Sequence, residues 1–271
     1  MPARREGETP SPRDNMNILK QIVVATKARV ARDKRAGLPL PCAAARPPFA
    51  FEKSLRRHND IAFICEVKKA SPSKGVIAAE FAYLDIARAY EAGGAAAISV
   101  LTEPDFFLGS DRHLAEIRQA VSVPLLRKDF TIDPFQIEQA ARLGADAVLL
   151  ICAILTPEQV ATYIQEADRL GLSCLVETHD EAELQTALAC GARVVGVNNR
   201  NLKTFEVDTG NSIRLRGMVP REVVMVSESG IRMAADVALL RRSGLDAVLV
   251  GETLMRSDDK PAALAALRGE S

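Results

Sequence analysis

The feature that most constrains this chain is a rhythm. Eight short apolar runs recur along it: IAFICEV (61–67), AAAISVL (95–101), VPLLRK (123–128), DAVLLI (146–151), LSCLVE (172–177), RVVGVN (193–198), EVVMVS (222–227) and DAVLVG (246–251). They are rich in β-branched residues and do not alternate with polar ones, so each reads as a strand covered on both faces. Between them lie helical patterns such as YLDIARAYEAGG, FQIEQAARLGA, EAELQTALACGA and ADVALLRRSGL. Several of these helices are expected to close at Gly94, Gly144, Gly191 and Gly244, where left-handed geometry costs little. Alternating strands and helices require a parallel sheet with right-handed crossovers. Eight such units in 271 residues predict one closed α/β barrel, a (β/α)8 unit that typically needs about 250 residues. The competing doubly wound sheet would carry a G-x-G-x-x-G turn, and this chain has none. A G-A-D/R-x-V pattern at 144–148 and 191–195, varied to GLDAV at 244–248, reads as a helix-to-strand turn reused around the barrel.

Three parts are expected along the chain. Residues 1–15 are polar and rich in Pro and Arg, and are expected to form a disordered tail. Residues 16–36 place Ile18, Ile22, Val23 and Val30 at helical spacing, giving a helix with a narrow apolar face. Pro39, Pro41, Pro47 and Pro48 then impose an extended stretch to residue 50. The barrel domain is expected to occupy 51–271.

Composition removes several functions. Lys plus Arg equals Asp plus Glu at 35 each, which argues against nucleic acid as a partner, since binding its backbone usually leaves a basic excess. The longest apolar runs fall far short of the ~20 residues a membrane helix needs, and the first residues lack the apolar stretch of a secretory signal. Five cysteines without a C-x-x-C pair suit a reducing compartment. His58, His113 and His179 follow no metal-ligand spacing. The expectation is a cytoplasmic protein without metal, cofactor, nucleic-acid or membrane partner, acting as a monomer or at most a weak homodimer.

The informative residues sit where the apolar runs stop. The first ends Glu66-Val67-Lys68, and alternation along a strand points Glu66 and Lys68 the same way. The third ends in Lys128, the fifth in Glu177, the sixth in Asn198, and the seventh is followed by Glu228-Ser229-Gly230. Each alone is most simply a solvated loop charge. In a barrel, however, all five ends meet at one mouth, where this fold places its chemistry, and partial burial there would tune lysines and carboxylates for acid–base work. Ser229-Gly230, before a helix expected to begin at Ile231, and Gly251-Glu252-Thr253, before a short helix, follow strands seven and eight. Loops there commonly bind phosphate, and helix N-termini favour anions. Glu252 would offer its backbone N–H, since its carboxylate would repel phosphate. Residues 68–75, with three lysines, Ser71 and a Gly, read either as a mobile lid for an anionic substrate or as a plain solvated loop.

These strand ends resemble the indole-3-glycerol phosphate synthase family of tryptophan biosynthesis. The passages that carry the resemblance are CEVKKASPSKG (65–75), SVLTEPDFFLGS (99–110), PLLRKDF (124–130), GADAVLLI (144–151), VETHDEAEL (176–184), VGVNNRNLKTFEVD (195–208), VSESGI (226–231) and VGETLMR (250–256). It spans residues 17–268. It implies ring closure of 1-(2-carboxyphenylamino)-1-deoxyribulose 5-phosphate to indole-3-glycerol phosphate, with loss of CO2 and water, by a carbon–carbon lyase. By this resemblance Lys128 is the acid that protonates the carbonyl oxygen. Lys68 lies near the substrate carboxylate and is a candidate acid for dehydration. Glu177 is general base or electrostatic stabiliser, Glu66 and Glu228 orient lysines and hydroxyls, and Asn198 holds the reacting centre. Which lysine serves which step stays open. Ser229, Gly230, Gly251 and Glu252 are implied at the phosphate, Arg200 and Ser71 at the mouth, and Phe107, Phe130 and Leu149 along the anthranilate ring. The resemblance also implies that the segment 16–50 covers the mouth. Leu108 and Thr253 depart from the family pattern, where Gln and Ser are common. Two other readings differ in what they require. A sugar-phosphate isomerase barrel does not need two strand-end lysines beside three glutamates, and an inert binding barrel does not need them intact.

Overall fold

The structure, a computed structural model, describes residues 12–42, 47–56, 60–201 and 204–270, with side chains from residue 18 onward. Residues 1–11 and His58 lie outside the described residues. Eight parallel strands close into a barrel: β1 (Ala62–Val67), β2 (Ala97–Leu101), β3 (Leu125–Lys128), β4 (Ala147–Ile151), β5 (Ser173–Thr178), β6 (Val194–Asn198), β7 (Val224–Glu228) and β8 (Ala247–Val250). Each pairs with its neighbours in sequence, and β8 closes onto β1 with Ile64 opposite Leu249. Six of the eight expected runs enclose their strand, and the fifth and seventh each fall one residue short, since β5 runs on through Thr178 and β7 through Glu228. The helices between them run from α3 (Tyr83–Ala92) to α11 (Lys260–Arg268).

The two-residue period of a strand sorts side chains into two layers. Facing out, Phe63, Cys65, Val67, Ile98, Val100 and Leu125 pack beneath the helices. Facing in, Ile64, Leu126, Leu149, Leu175, Val194, Val226 and Leu249 fill the lower barrel. The floor is closed by a short helix, α2 (Ala50–Arg56), whose Phe51 and Leu55 are fully buried in that inner layer. The repeated turn has a physical job at this end. Asp146 accepts a hydrogen bond from the Leu125 backbone N at 2.8 Å, and Asp246 accepts one from Met225 N at 2.8 Å. Each anchors the start of the preceding strand, and Gly144 (φ 88°) supplies the left-handed step out of α5 (Pro134–Leu143) that brings Asp146 there.

The helix expected over 16–36 is present as α1 (Pro12–Ala36), starting four residues earlier. Ile22, Thr26, Arg29 and Val30 form its buried stripe. Arg29 donates to Asp129 at 2.6 Å, just past β3, and Lys34 donates to Asp133, the N-cap of α5, at 2.7 Å. These contacts set α1 beside the C-terminal ends of the strands. The Pro-rich stretch then runs down the outside. Cys42 N donates to Arg142 O and Phe49 N to Gly171 O, both at the opposite end of the barrel. Among the described residues of the 16–50 segment, only the helical part therefore stands at the mouth. One local expectation is corrected. The helix after β7, α9 (Ala234–Arg242), begins three residues later than expected, because Asp236 takes up the backbone N–H groups of Arg232 and Met233. Within the segment 68–75 and just beyond it, Ala70–Ser71 pairs with Gly75–Val76 in a short hairpin. Among the described residues no helix is long and apolar enough to cross a membrane.

Candidate active site

The inward positions that continue past the apolar layers are charged. Counting up each strand by twos, Ile64 leads to Glu66 and Lys68, Leu126 to Lys128, Leu175 to Glu177, Val226 to Glu228, and the inward side of β6 ends at Asn198. The alternation that builds the floor therefore delivers the polar groups to one rim. They line a cavity of about 580 Å³ at the mouth.

Two lysines organise it. Lys128 Nζ lies 2.8 Å from Glu228 Oε2 and 3.2 Å from Glu177 Oε2. Lys68 Nζ lies 2.6 Å from Glu66 Oε1, whose other oxygen accepts from Ser99 Oγ at 3.4 Å. Asn198 Nδ2 donates to Glu177 Oε1 at 3.1 Å, and Asn198 Oδ1 accepts from Ser229 Oγ and Arg200 N at 3.0 Å each. Glycines make the room. A Cβ on Gly251 would come within 2.6 Å of Glu66 Oε1, and one on Gly196 would overlap Glu228 Oε1.

Burial and charge push these groups apart in acidity. Burial disfavours the Lys128 ammonium, but Glu228, Glu177 and Glu66 outweigh it, so the lysine stays protonated well above its ordinary range. Burial also disfavours ionised Glu66 and Glu177, and here the cations win. Lys68 and Lys128 keep Glu66 below the usual carboxylate range, while Lys128, His179 and Asn198 keep Glu177 far below it. Glu228 goes the other way. Burial, reinforced by Glu177 and opposed by Lys128, pushes it up to about 7, and its Oε1 is buried without a hydrogen-bond partner. One rim thus holds a fixed ammonium, a fixed carboxylate and a carboxyl that titrates near neutrality, a separation typical of acid–base sites.

The two flanks of the cavity differ. On one, Ser229 (φ 67°) and Gly230 (φ 89°) take consecutive left-handed conformations at the end of β7. Gly251 opens the short helix α10 (Glu252–Arg256), and Thr253 Oγ1 donates to Ile231 O at 2.6 Å, tying the two loops together. The late start of α9 means that Ser229-Gly230 offers a turn backbone there, not a helix N-terminus. The Glu252 carboxylate faces Arg256 at 3.1 Å and Lys74 at 3.5 Å. Burial, helped by neighbouring Arg232 and opposed by Glu252, makes a charge on Arg200 less favourable. On the other flank, Phe107 and Phe130 stand with ring centroids 6.0 Å apart, and Leu149 and the α1 residues Ile18, Leu19 and Ile22 complete an apolar wall. Ser71 of the hairpin also lines the cavity. Every residue proposed from the sequence thus lies at this one mouth. Among the described residues, no group of three or more His, Cys, Asp or Glu is arranged to hold a metal ion.

Other residues at the site carried weaker sequence signals. His179, which follows no metal-ligand spacing in the sequence, reaches Glu177, its Nε2 3.3 Å from Oε1. The His-x-x-x-Glu spacing to Glu183 on the next helix was the available clue. Glu103 accepts backbone N–H groups from Asp105, Phe106 and Phe107 at 2.7–3.1 Å and so shapes the loop that carries Phe107. The Arg29–Asp129 pair, 100 residues apart in sequence, left no local signal.

Comparison with known proteins agrees with this geometry. The family model described as indole-3-glycerol phosphate synthase matches residues 17–267. Among curated relatives, the indole-3-glycerol phosphate synthase of Ruminiclostridium cellulolyticum is 58% identical over 260 residues, covering 94% of this chain and 100% of its own. That of Endomicrobium trichonymphae is 52% identical over 246 residues, covering 89% and 95%. Among solved structures, a chain from the tryptophan synthase α2β2 complex of Pyrococcus furiosus superposes with TM-score 0.59 at 15% identity, covering 78% of this chain and 98% of that one. Thiamine phosphate pyrophosphorylase of the same organism gives 0.58 at 18%, covering 80% and 96%. At such identities these two speak for the fold alone. The chain belongs to the indole-3-glycerol phosphate synthase family, the carboxy-lyases that form the indole ring in tryptophan biosynthesis.

Proposed function

We propose that the indole-3-glycerol phosphate synthase reaction of this chain runs at the barrel mouth, with Lys128 and Lys68 as successive acids and Glu177 as base. The observation that carries the assignment is the placement of the Lys128 ammonium between Glu177 and Glu228, with an apolar wall on one flank and the β7 and β8 loops on the other. This matches a substrate with an aryl ring at one end and a phosphate at the other. The phosphate would rest on the backbone of Ser229, Gly230, Gly251 and Glu252 with Arg200 nearby, and the anthranilate ring against Phe107, Phe130 and Leu149.

The ring carbon bearing the carboxylate attacks the C2 carbonyl carbon. The carbonyl electron pair takes a proton from Lys128 and becomes a hydroxyl. The carbon–carboxylate bond then breaks, CO2 leaves, and its electron pair restores the aromatic ring. Lys68, beside Glu66, protonates the hydroxyl, which departs as water. Glu177 removes a proton from the adjacent CH2 to form the last double bond. Glu228, pushed up to about 7 and 2.8 Å from Lys128 Nζ, is placed to return a proton to Lys128. Asn198 holds Glu177 through its amide, and Ser71 flanks the lysines from the hairpin.

The α1 helix is read as the cover of the apolar flank, and one copy of the chain supplies every group named, which supports a monomer. The five free thiols support a cytoplasmic setting. Rapid-quench analysis with the anilino-deoxyribulose phosphate tests the order of acids. Lys128→Ala should leave substrate unconsumed, and Lys68→Ala should accumulate the closed, decarboxylated alcohol. The reverse pattern would exchange the two roles.

A further inference from the structure

Glu177 has one neighbour that the mechanism does not use. His179 is two residues further along β5 and its loop, and its side chain is largely buried. Its Nε2 lies 3.3 Å from Glu177 Oε1, near enough for an ion pair but not aligned as a hydrogen bond. Its Nδ1 lies 3.0 Å from Glu183 Oε2, and the same oxygen accepts the His179 backbone N–H at 2.9 Å. Asn211 Nδ2 donates to the His179 carbonyl at 3.0 Å. Ring and backbone are therefore both fixed by α7 (Glu181–Ala189) and α8 (Gly210–Arg216).

We propose that His179 is a positioning residue that acts as a second cation for Glu177, holding the carboxylate ionised and aimed at the substrate while Glu183 holds the imidazole in place. The proposal rests on the reading of Glu177 as the base. The charges facing the pair are countable. Glu177 meets Lys128 from β3 at 3.2 Å and the Asn198 amide from β6, and it feels the carboxylate of Glu228 from β7. His179 meets Glu177 and Glu183, with Asp180 capping α7 next to it. Cys152, whose Sγ lies 3.7 Å from Glu183 O, is a neutral thiol held high by burial and these carboxylates.

Lys128 alone cannot do this work throughout a turnover. It is shared with Glu228, and in the proposed mechanism it gives its proton away in the first step and is a cation again only after Glu228 has returned one. A base needed in the last step requires a cation that does not depend on that proton, and His179 sits on the opposite oxygen, Oε1. Burial works against a charge on the imidazole, but Glu177 and Glu183 outweigh it and push it up to about 10, so the second cation is present throughout the neutral range.

The test is the pH profile of kcat for the full chain and for His179→Asn, His179→Gln and Glu177→Gln. Removing the cation lets the Glu177 carboxylate take up a proton more readily. The acid limb should therefore move to higher pH by about one unit, and the plateau kcat should fall ~10-fold while KM changes less than about twofold. Unmoved acid limbs in both histidine variants, with Glu177→Gln inactive, would overturn the proposal and leave the base assignment standing. Full activity in Glu177→Gln would overturn the base assignment itself. NMR of the labelled imidazoles in the unmodified chain is independent of how the variants fold. His179 should keep both ring nitrogens protonated at pH 8, and titration near the ordinary 6.5 of a free imidazole would also overturn the proposal.

Discussion

The two ends of one barrel interior obey opposite rules. At the floor, Phe51 and Leu55 of α2 plug a ring of Ile, Leu, Val and Ala side chains. At the mouth, the same eight strands hold three buried glutamates side by side with two partly buried lysines. The floor buries apolar area and gains stability from it. The mouth buries charges that cost desolvation energy and that packed apolar side chains could often replace without loss of stability. What the difference teaches is where stability has been given up for chemistry: Glu228, with an unpartnered oxygen and a carboxyl pushed up to about 7, is the clearest instance.

Substitutions at the two ends should separate cleanly. The largest effect is expected for Lys128→Ala, with a kcat loss of ~10²–10⁴-fold and a cooperative melt. A variant that keeps half of the kcat would remove Lys128 from the acid's role. Phe51→Ala should do the reverse, costing about 3–5 kcal/mol of stability in denaturant unfolding while kcat per folded molecule stays unchanged. A lost kcat with stability intact would show that floor and mouth are not separable. Between the flanks of the mouth, a dephosphorylated substrate analogue should bind at least ~100-fold more weakly, from two charge-assisted hydrogen bonds of about 1.5–3 kcal/mol each. Equal Kd values by calorimetry would place the phosphate elsewhere. Removing residues 1–36 should spare the floor and raise KM ~10-fold through loss of the Ile18, Leu19 and Ile22 wall. An unchanged KM would detach α1 from substrate binding, and loss of the cooperative melt would make it part of the fold.

The smallest effect sharpens the comparison most. The folded chain keeps a proton on Glu228 up to about pH 7, whereas the ordinary carboxyl value is 4.5. Across that window Glu228 binds more proton in the folded state than in the unfolded one, so its contribution to wild-type stability falls as pH rises and levels off above about 7. Glu228→Gln has no such proton. Its melting temperature relative to wild type should climb between pH 4.5 and 7 by roughly a few degrees and stay flat above. A difference independent of pH would mean that Glu228 titrates as an ordinary carboxyl.

The sequence displayed the strands and the rim more clearly than what joins them. Strand parity is local, so Glu66 and Lys68 could be set on one side of their strand, while Lys128, Glu177, Asn198 and Glu228 stood out as the polar residues at which apolar runs stop. The floor plug was less visible, because Phe51 and Leu55 sit in a seven-residue helix too short for a periodic signal. The start of α9 was misplaced because Asp236 reaches back to cap the turn, a competition between side chain and backbone that composition does not reveal. The hairpin at 70–76 and the Arg29–Asp129 bridge depend on tertiary partners. His179 was legible in part, through its spacing to Glu183, but its contact with Glu177 exists only once β5 is in place.

The missing side chain at Gly196 binds the histories of two strands together. Glu228 reaches across from β7 into the space that a methyl group on β6 would fill, so neither position can change freely while the other stays. In a library that randomises both, Ala at 196 should survive only where 228 has become shorter or has turned away, and a long carboxylate at 228 should select Gly at 196 each time. Such a pair behaves as one inherited unit, and a graft of β7 into another barrel would bring its acid only if the neighbouring strand came with it.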